Sequence, residues 1–122
     1  MSQHASLSPA RWRLFTLDQQ LLMIANEMNR ASKLLTAELA VHRMSAYERT
    51  LQLTDLTVEV QAGRTLRREL LRWRDLIAQL YCERIGNPQA HAAALRCLLQ
   101  FTPTTALQLA HLPVPEAAQE HS

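Results

Sequence analysis

Glycine is nearly missing from this chain: there are two in 122 residues, where average usage is ~7%. Loops that cradle nucleotide phosphates, tight hairpin turns and strained nucleophile turns all lean on glycine, so its scarcity argues against all three together. Lysine is scarcer still. Twelve of the thirteen basic residues are arginine, and only Lys33 is lysine. GC-rich coding bias produces such a skew, and so does a need for the planar fork that grips carboxylates or phosphates through two bonds. The cysteines are also two, Cys82 and Cys97. Neither has a Cys or His two to four positions away, which argues against zinc and for reduced, helix-buried thiols. The longest apolar run covers residues 21–25, far short of the ~20 residues a membrane span needs. The first residues show neither the basic start nor the apolar stretch of a signal peptide, so a cytoplasmic location is expected.

What is present favours helices. Leu, Ala, Arg, Gln and Glu dominate, all good helix formers, and 48% of the residues are apolar. That is enough for one domain spanning residues 1–122, with polar ends at 1–8 and 116–122 that are expected to be mobile. Ser8-Pro9 suits the start of a short helical turn. Thr16-Leu-Asp-Gln19 forms a capping box, with an acid in the first turn. Apolar residues then fall at Leu17, Leu21, Ile24, Met28, Ala31 and Leu35, in the alternating steps of a heptad stripe. This predicts one long first helix over residues 17–44. A second capping box, Ser45-Ala-Tyr-Glu48, predicts a new helix near Ala46. The Thr/Val content near 56–61 allows a short extended segment, but a lone strand has no mate, so helix is the reading for 51–61. Gly63 is the expected stop, in a left-handed cap. Leu66, Leu70, Trp73, Ile77 and Leu80 repeat the stripe on a third helix. Gly86-Asn87-Pro88 then stacks a stop, a cap and a first-turn proline, and Thr102-Pro103 opens a last short helix that ends at Pro113-Val-Pro115. The fold class is all-α, a compact bundle of four to five helices, expected to be dimeric.

Catalytic chemistry finds little to stand on. Asp18, Asp55 and Asp75 are far apart in sequence; Asp18 suits first-turn dipole chemistry and Asp75 suits an ion pair with Arg72. His42, His91 and His111 read as surface or capping residues. A helical phosphotransfer protein follows its histidine closely with Lys and Gly; here Arg43-Met44-Ser45 and Ala92-Ala93-Ala94 follow instead, so that pattern fails. No enzyme activity, metal, cofactor or small-molecule ligand is expected, because no converging polar groups line a pocket.

Two binding features stand out. A first helix as long as the domain would carry more stripe than one chain can cover, so Leu17, Leu21, Ile24, Met28 and Leu35 form a candidate seam for a homodimer or another protein. Met23, Met28 and Met44 supply adaptable side chains near it. The second feature is a basic ridge, Arg64, Arg67, Arg68 and Arg72, with Arg74 close by and only Glu69 to offset it. Such a ridge meets phosphates or an acidic protein rim, or serves as a solvated face whose stems cover apolar surface. A DNA-reading helix pair around Gly63 would bury Glu59 and Glu69 at its packing positions, which is costly, so DNA binding ranks second.

In size and in its stripe-bearing helices from Leu17 to Leu80, the chain resembles the small helical antiactivators that bind acyl-homoserine-lactone-responsive transcription activators. The resemblance implies a quorum-sensing regulator that sequesters an activator and blocks its dimerisation or DNA binding. Secretion chaperones and adaptors share the same outline.

Overall fold

A computed structural model describes residues 7–112, and within them every regular element is helical. The elements are α1 (Pro9–Trp12), α2 (Leu17–Ser32), α3 (Ala40–Val60), α4 (Arg64–Cys82), α5 (Pro88–Leu99) and α6 (Pro103–Ala106), with 3-10 turns at Ala37–Leu39 and Leu107–His111. The predicted end of the last helix at Pro113-Val-Pro115 and the polar ends at 1–6 and 116–122 lie outside the described residues. Leu7 and Ser8, expected to fray, are engaged: Leu7 packs on the core and Ser8 caps α1.

Four helices make the body. α2 and α4 each pack against both α3 and α5. Side-chain pairs give the directions. Arg74 meets Asp55, and seven residues further along α4, Tyr81 meets Glu48, seven residues earlier on α3. His91 of α5 reaches Met28 of α2, while Thr102, just past α5, reaches Asp18 at the start of α2. Neighbours therefore run antiparallel, in an up-down-up-down bundle. Leu21, Ile24, Met28, Leu53, Leu70, Trp73, Ile77 and Leu98 fill its centre, each burial stabilising by ~1.5–3 kcal/mol.

The capping signals at Thr16, Asn87 and Thr102 act as read. The long helix does not lie where the sequence placed it. α2 stops at Ser32, and the longest helix is α3, which runs straight through the Ser45 box. No glycine or proline lies in 17–44 to announce the break; tertiary structure imposes it. The chain must reverse so that α3 covers α2, and the carbonyls freed by the reversal are taken by Arg43. Its guanidinium, fully buried, donates to Leu34 O at 3.0 Å and Thr36 O at 3.1 Å, and also to Arg84 O at 2.9 Å in the loop between α4 and α5.

Residues 51–60 are helix, with no extended segment. Thr50, Thr54 and Thr57 face inward, and each hydroxyl donates to the carbonyl four residues earlier, at 2.7–3.0 Å. The hydroxyls are satisfied inside the helix, so β-branching does not force a strand. Thr57 also accepts a bond from the buried Trp12 indole, which fixes α1 across α3. Gly63 does not take a left-handed cap: its φ is −68°, and it precedes α4 as the N-cap residue.

Candidate functional site

The expected seam is core. Leu21, Ile24 and Met28 are fully buried by their own chain, Leu17 is half-buried against the same core, and Leu35 lies beyond the end of α2. With α2 ended at Ser32, α3 and α5 cover its stripe. Met28 belongs to this core; Met23 packs on its edge, and Met44 is exposed.

The basic ridge does reach the surface. Leu70, Trp73, Ile77 and Leu80 commit one side of α4 to the core, which turns positions 64, 67, 68, 71 and 72 outward at 100° per residue. Arg64, Arg67, Arg68 and Arg72 are all exposed, and Leu71 sits among them with 48% of its surface in solvent. The wider cluster divides by partner. Arg74 turns to α3 and grips both oxygens of Asp55, joining the two helices. Arg72 pairs at 3.2 Å with Glu69, not with Asp75, and both partners are exposed, so that contact stabilises by only a few tenths of a kcal/mol. Among the described residues, the side chains of Arg64, Arg67 and Arg68 make no ion pair or hydrogen bond.

Arg64, the first residue of α4, stands where helix electrostatics oppose it, and Arg67 and Arg68 follow one turn further on. The start of a helix carries about half a positive charge, and acids, not bases, are stabilising there. The first turn of α4 holds no acid, and Gly63 supplies no side-chain cap. Arg64 and Arg68 also repel each other one turn apart. An anionic group placed on this face would relieve both penalties.

A DNA-reading pair is not formed around Gly63. That motif crosses its helices at ~90–120°, whereas α3 and α4 lie side by side through the pairs at 74/55 and 81/48. Glu59 and Glu69, which the motif would bury, are exposed.

A second exposed surface lies at the other end of α4. Met44 and Ile85 (73% exposed) line an open groove of about 540 Å³ together with Ala37 and Ala40, and Val41 (78% exposed) follows Ala40 at the start of α3. Sequence periodicity missed this corner, because it assembles from the start of α3 and the loop after α4. Contacts on both sides of Ile85 place it there. Arg43 grips the carbonyl of Arg84 before it, and Gly86 after it presses on the backbone of Leu35.

The titratable group of most interest is inside. His91, expected on the surface, is 3% exposed. Its Nε2 lies 2.9 Å from the Met28 carbonyl and its Nδ1 2.7 Å from the Tyr47 hydroxyl. A carbonyl only accepts, so Nε2 carries the proton and Tyr47 donates to Nδ1. Burial holds the imidazole below its ordinary value of 6.5, against an opposing pull from the Met28 carbonyl. Burial also pushes the Tyr47 phenol up to about 12. Both groups are neutral and saturated, so they form a core tie and not a proton-transfer site.

A pH dependence follows. Below 6.5 the unfolded chain binds a proton at His91 that the folded chain resists, so unfolding becomes easier as the pH falls. The slope is at most ~1.4 kcal/mol per pH unit for one proton. Urea unfolding at pH 7.5 and pH 5 should show this loss, and His91→Phe, though less stable throughout, should show a shallower one. Equal slopes in the two proteins would contradict the assignment.

The thiols of Cys82 and Cys97, expected to be buried, are exposed and free. No helix of the described residues is long and apolar enough to cross a membrane. Comparison with protein-family models, curated proteins and solved structures finds no match.

Proposed function

We propose that this chain is a non-enzymatic regulatory protein that binds and sequesters another protein through the outer face of α4. The observation that carries the reading is the set of three exposed arginines, Arg64, Arg67 and Arg68, in the first two turns of α4, with no ion-pair partner among the described residues and with the half-exposed Leu71 on the same face. Charge alone would suit a phosphate backbone equally well. Leu71 in the middle favours a protein, since interface cores join an apolar anchor to arginine contacts on an acidic rim. Among protein partners, a transcription activator whose dimerisation or DNA binding is blocked fits the outline that the chain shares with helical antiactivators. A homodimer belongs to the proposal only through the corner of Val41, Met44 and Ile85, because the stripe of α2 is spent on the core.

The test is Arg64→Gln, Arg67→Gln, Arg68→Gln in one protein. Glutamine keeps helix propensity and much of the stem packing. Removing unpaired like charges from the start of a helix should leave stability unchanged or raise it slightly, by about 0.5 kcal/mol. Association with the protein partner should slow and lose most of its salt dependence. Tight binding of the unmodified protein to arbitrary duplex DNA, with a salt slope that flattens by ~0.9 per arginine removed, would replace this reading with a nucleic-acid one.

A further inference from the structure

On the side of the bundle away from α4, the end of α2 and the start of α5 part to leave a groove of about 510 Å³. That volume lies within the range of small-molecule sites, roughly 300–1,000 Å³. The floor is apolar: Leu35, Leu95 and Leu112 line it, and Ala92 leaves room where a larger side chain would fill it. Two cations, Lys33 and Arg96, also line it, and no carboxylate of the described residues does. Neither cation has an ion-pair partner among the described residues. The buried histidine forms part of the wall, but both its ring nitrogens are engaged, by Met28 and Tyr47, so it presents no free donor. Ser32 likewise spends its hydroxyl on the Asn29 carbonyl. Little is left for a ligand to address except apolar surface and two positive charges.

We propose that this groove binds a soluble amphipathic anion, an acyl chain ending in one carboxylate or phosphate. The chain lies on Leu35, Leu95 and Leu112, and the anionic head sits between Lys33 and Arg96. The reverse orientation, or a cationic head, would set an unpaired charge against leucines or like charges together. No adjacent stretch of sequence announces the site, since its walls come from separate segments. The expectation of no small-molecule ligand rested on converging polar groups, which a ligand of this kind does not need. The site is independent of the α4 reading, because α4 contributes nothing to it.

The probes are decanoate, decyl phosphate and decyltrimethylammonium, titrated as monomers into the full chain by calorimetry and by amide shifts. Both anions should bind one to one, with shifts confined to the end of α2 and the start of α5. The cation should bind at least about ten-fold more weakly, the equivalent of one lost charge contact. Lys33→Gln with Arg96→Gln should erase the preference for anions. Ala92→Phe, which fills the groove at a half-exposed position, should abolish binding of all three with the thermal midpoint retained. Absence of saturable binding by the full chain, equal affinity for anion and cation, or binding that survives Ala92→Phe would overturn the proposal. So would association with phosphatidylglycerol vesicles without monomer binding, which would mark a membrane-surface patch.

Discussion

Replacing Arg43 by Met should cost the fold about 3–5 kcal/mol, because the change strands three carbonyls at once. Methionine matches the stem and fills the same volume, so packing is largely kept. What disappears is the donor to Leu34, Thr36 and Arg84. Each buried carbonyl left without a partner costs ~1–3 kcal/mol, reduced wherever water enters. Lysine should not rescue the loss. One ammonium on a flexible stem does not reproduce a planar fork that spans two loops. The Ile85 corner hangs on the same bond, so Arg43→Met should loosen that surface below the unfolding transition. Urea unfolding gives the stability, and amide exchange of residues 83–86 gives the local effect. A midpoint within experimental error of the parent protein would contradict the role assigned to Arg43.

Gly86→Ala should cost about 3 kcal/mol, at the top of the usual range for overpacking. The reason is space and not dihedral angle, since neither glycine has a positive φ. A Cβ at 86 would overlap the Leu35 carbonyl oxygen and lie 2.8 Å from its Cα and 2.9 Å from its carbonyl carbon. All three are backbone atoms, so no rotamer change gives relief, and the two loops must separate. Gly63 is the internal control. A Cβ there meets only Leu66 Cβ, at 3.6 Å, and its backbone angles suit alanine. Gly63→Ala should therefore be near neutral, within about 0.5 kcal/mol, since the gain through the unfolded chain offsets the poorer N-cap. Arg43 and Gly86 hold one junction, so their combined variant should fall short of the sum. Equal effects at the two glycines would contradict the account of Gly86.

The parts of this fold that were legible in the sequence are those where local chemistry and tertiary packing agree. Thr16, Asn87 and Thr102 cap helices in solution peptides and in this bundle for the same reason. The apolar steps of α4 point to the core that they occupy. α3 was harder to read because its inner face mixes polar residues with Ala46, Tyr47 and Leu53. Arg43, Thr50, Thr54 and Thr57 are buried there, and no apolar stripe marks the helix, so in the sequence the Ser45 box stands out as its start. The end of α2 was illegible for a related reason: the residue that stabilises the reversal, Arg43, lies eleven positions beyond the end of the helix. His91 looked like a surface residue, since its partners, Met28 and Tyr47, come from two other helices. Among the candidate site residues, the ridge was visible because one helix carries all of it. The seam was misassigned because an apolar stripe says that something covers it, not which chain does so. Asp55 as the partner of Arg74, and the corner at Ile85, depend on which helices become neighbours, and spacing alone does not reveal that.

Site-specific photo-crosslinking from position 71, in the cell that makes the protein, tests the central claim most directly. A photoreactive side chain in place of Leu71 sits among Arg64, Arg67, Arg68 and Arg72; one in place of Ala93, exposed on α5, serves as control. The account predicts one dominant protein adduct from position 71, none from position 93, and loss of that adduct when Arg64, Arg67 and Arg68 are all glutamine. Adducts to nucleic acid, the same products from both positions, or an adduct indifferent to the three arginines would contradict it.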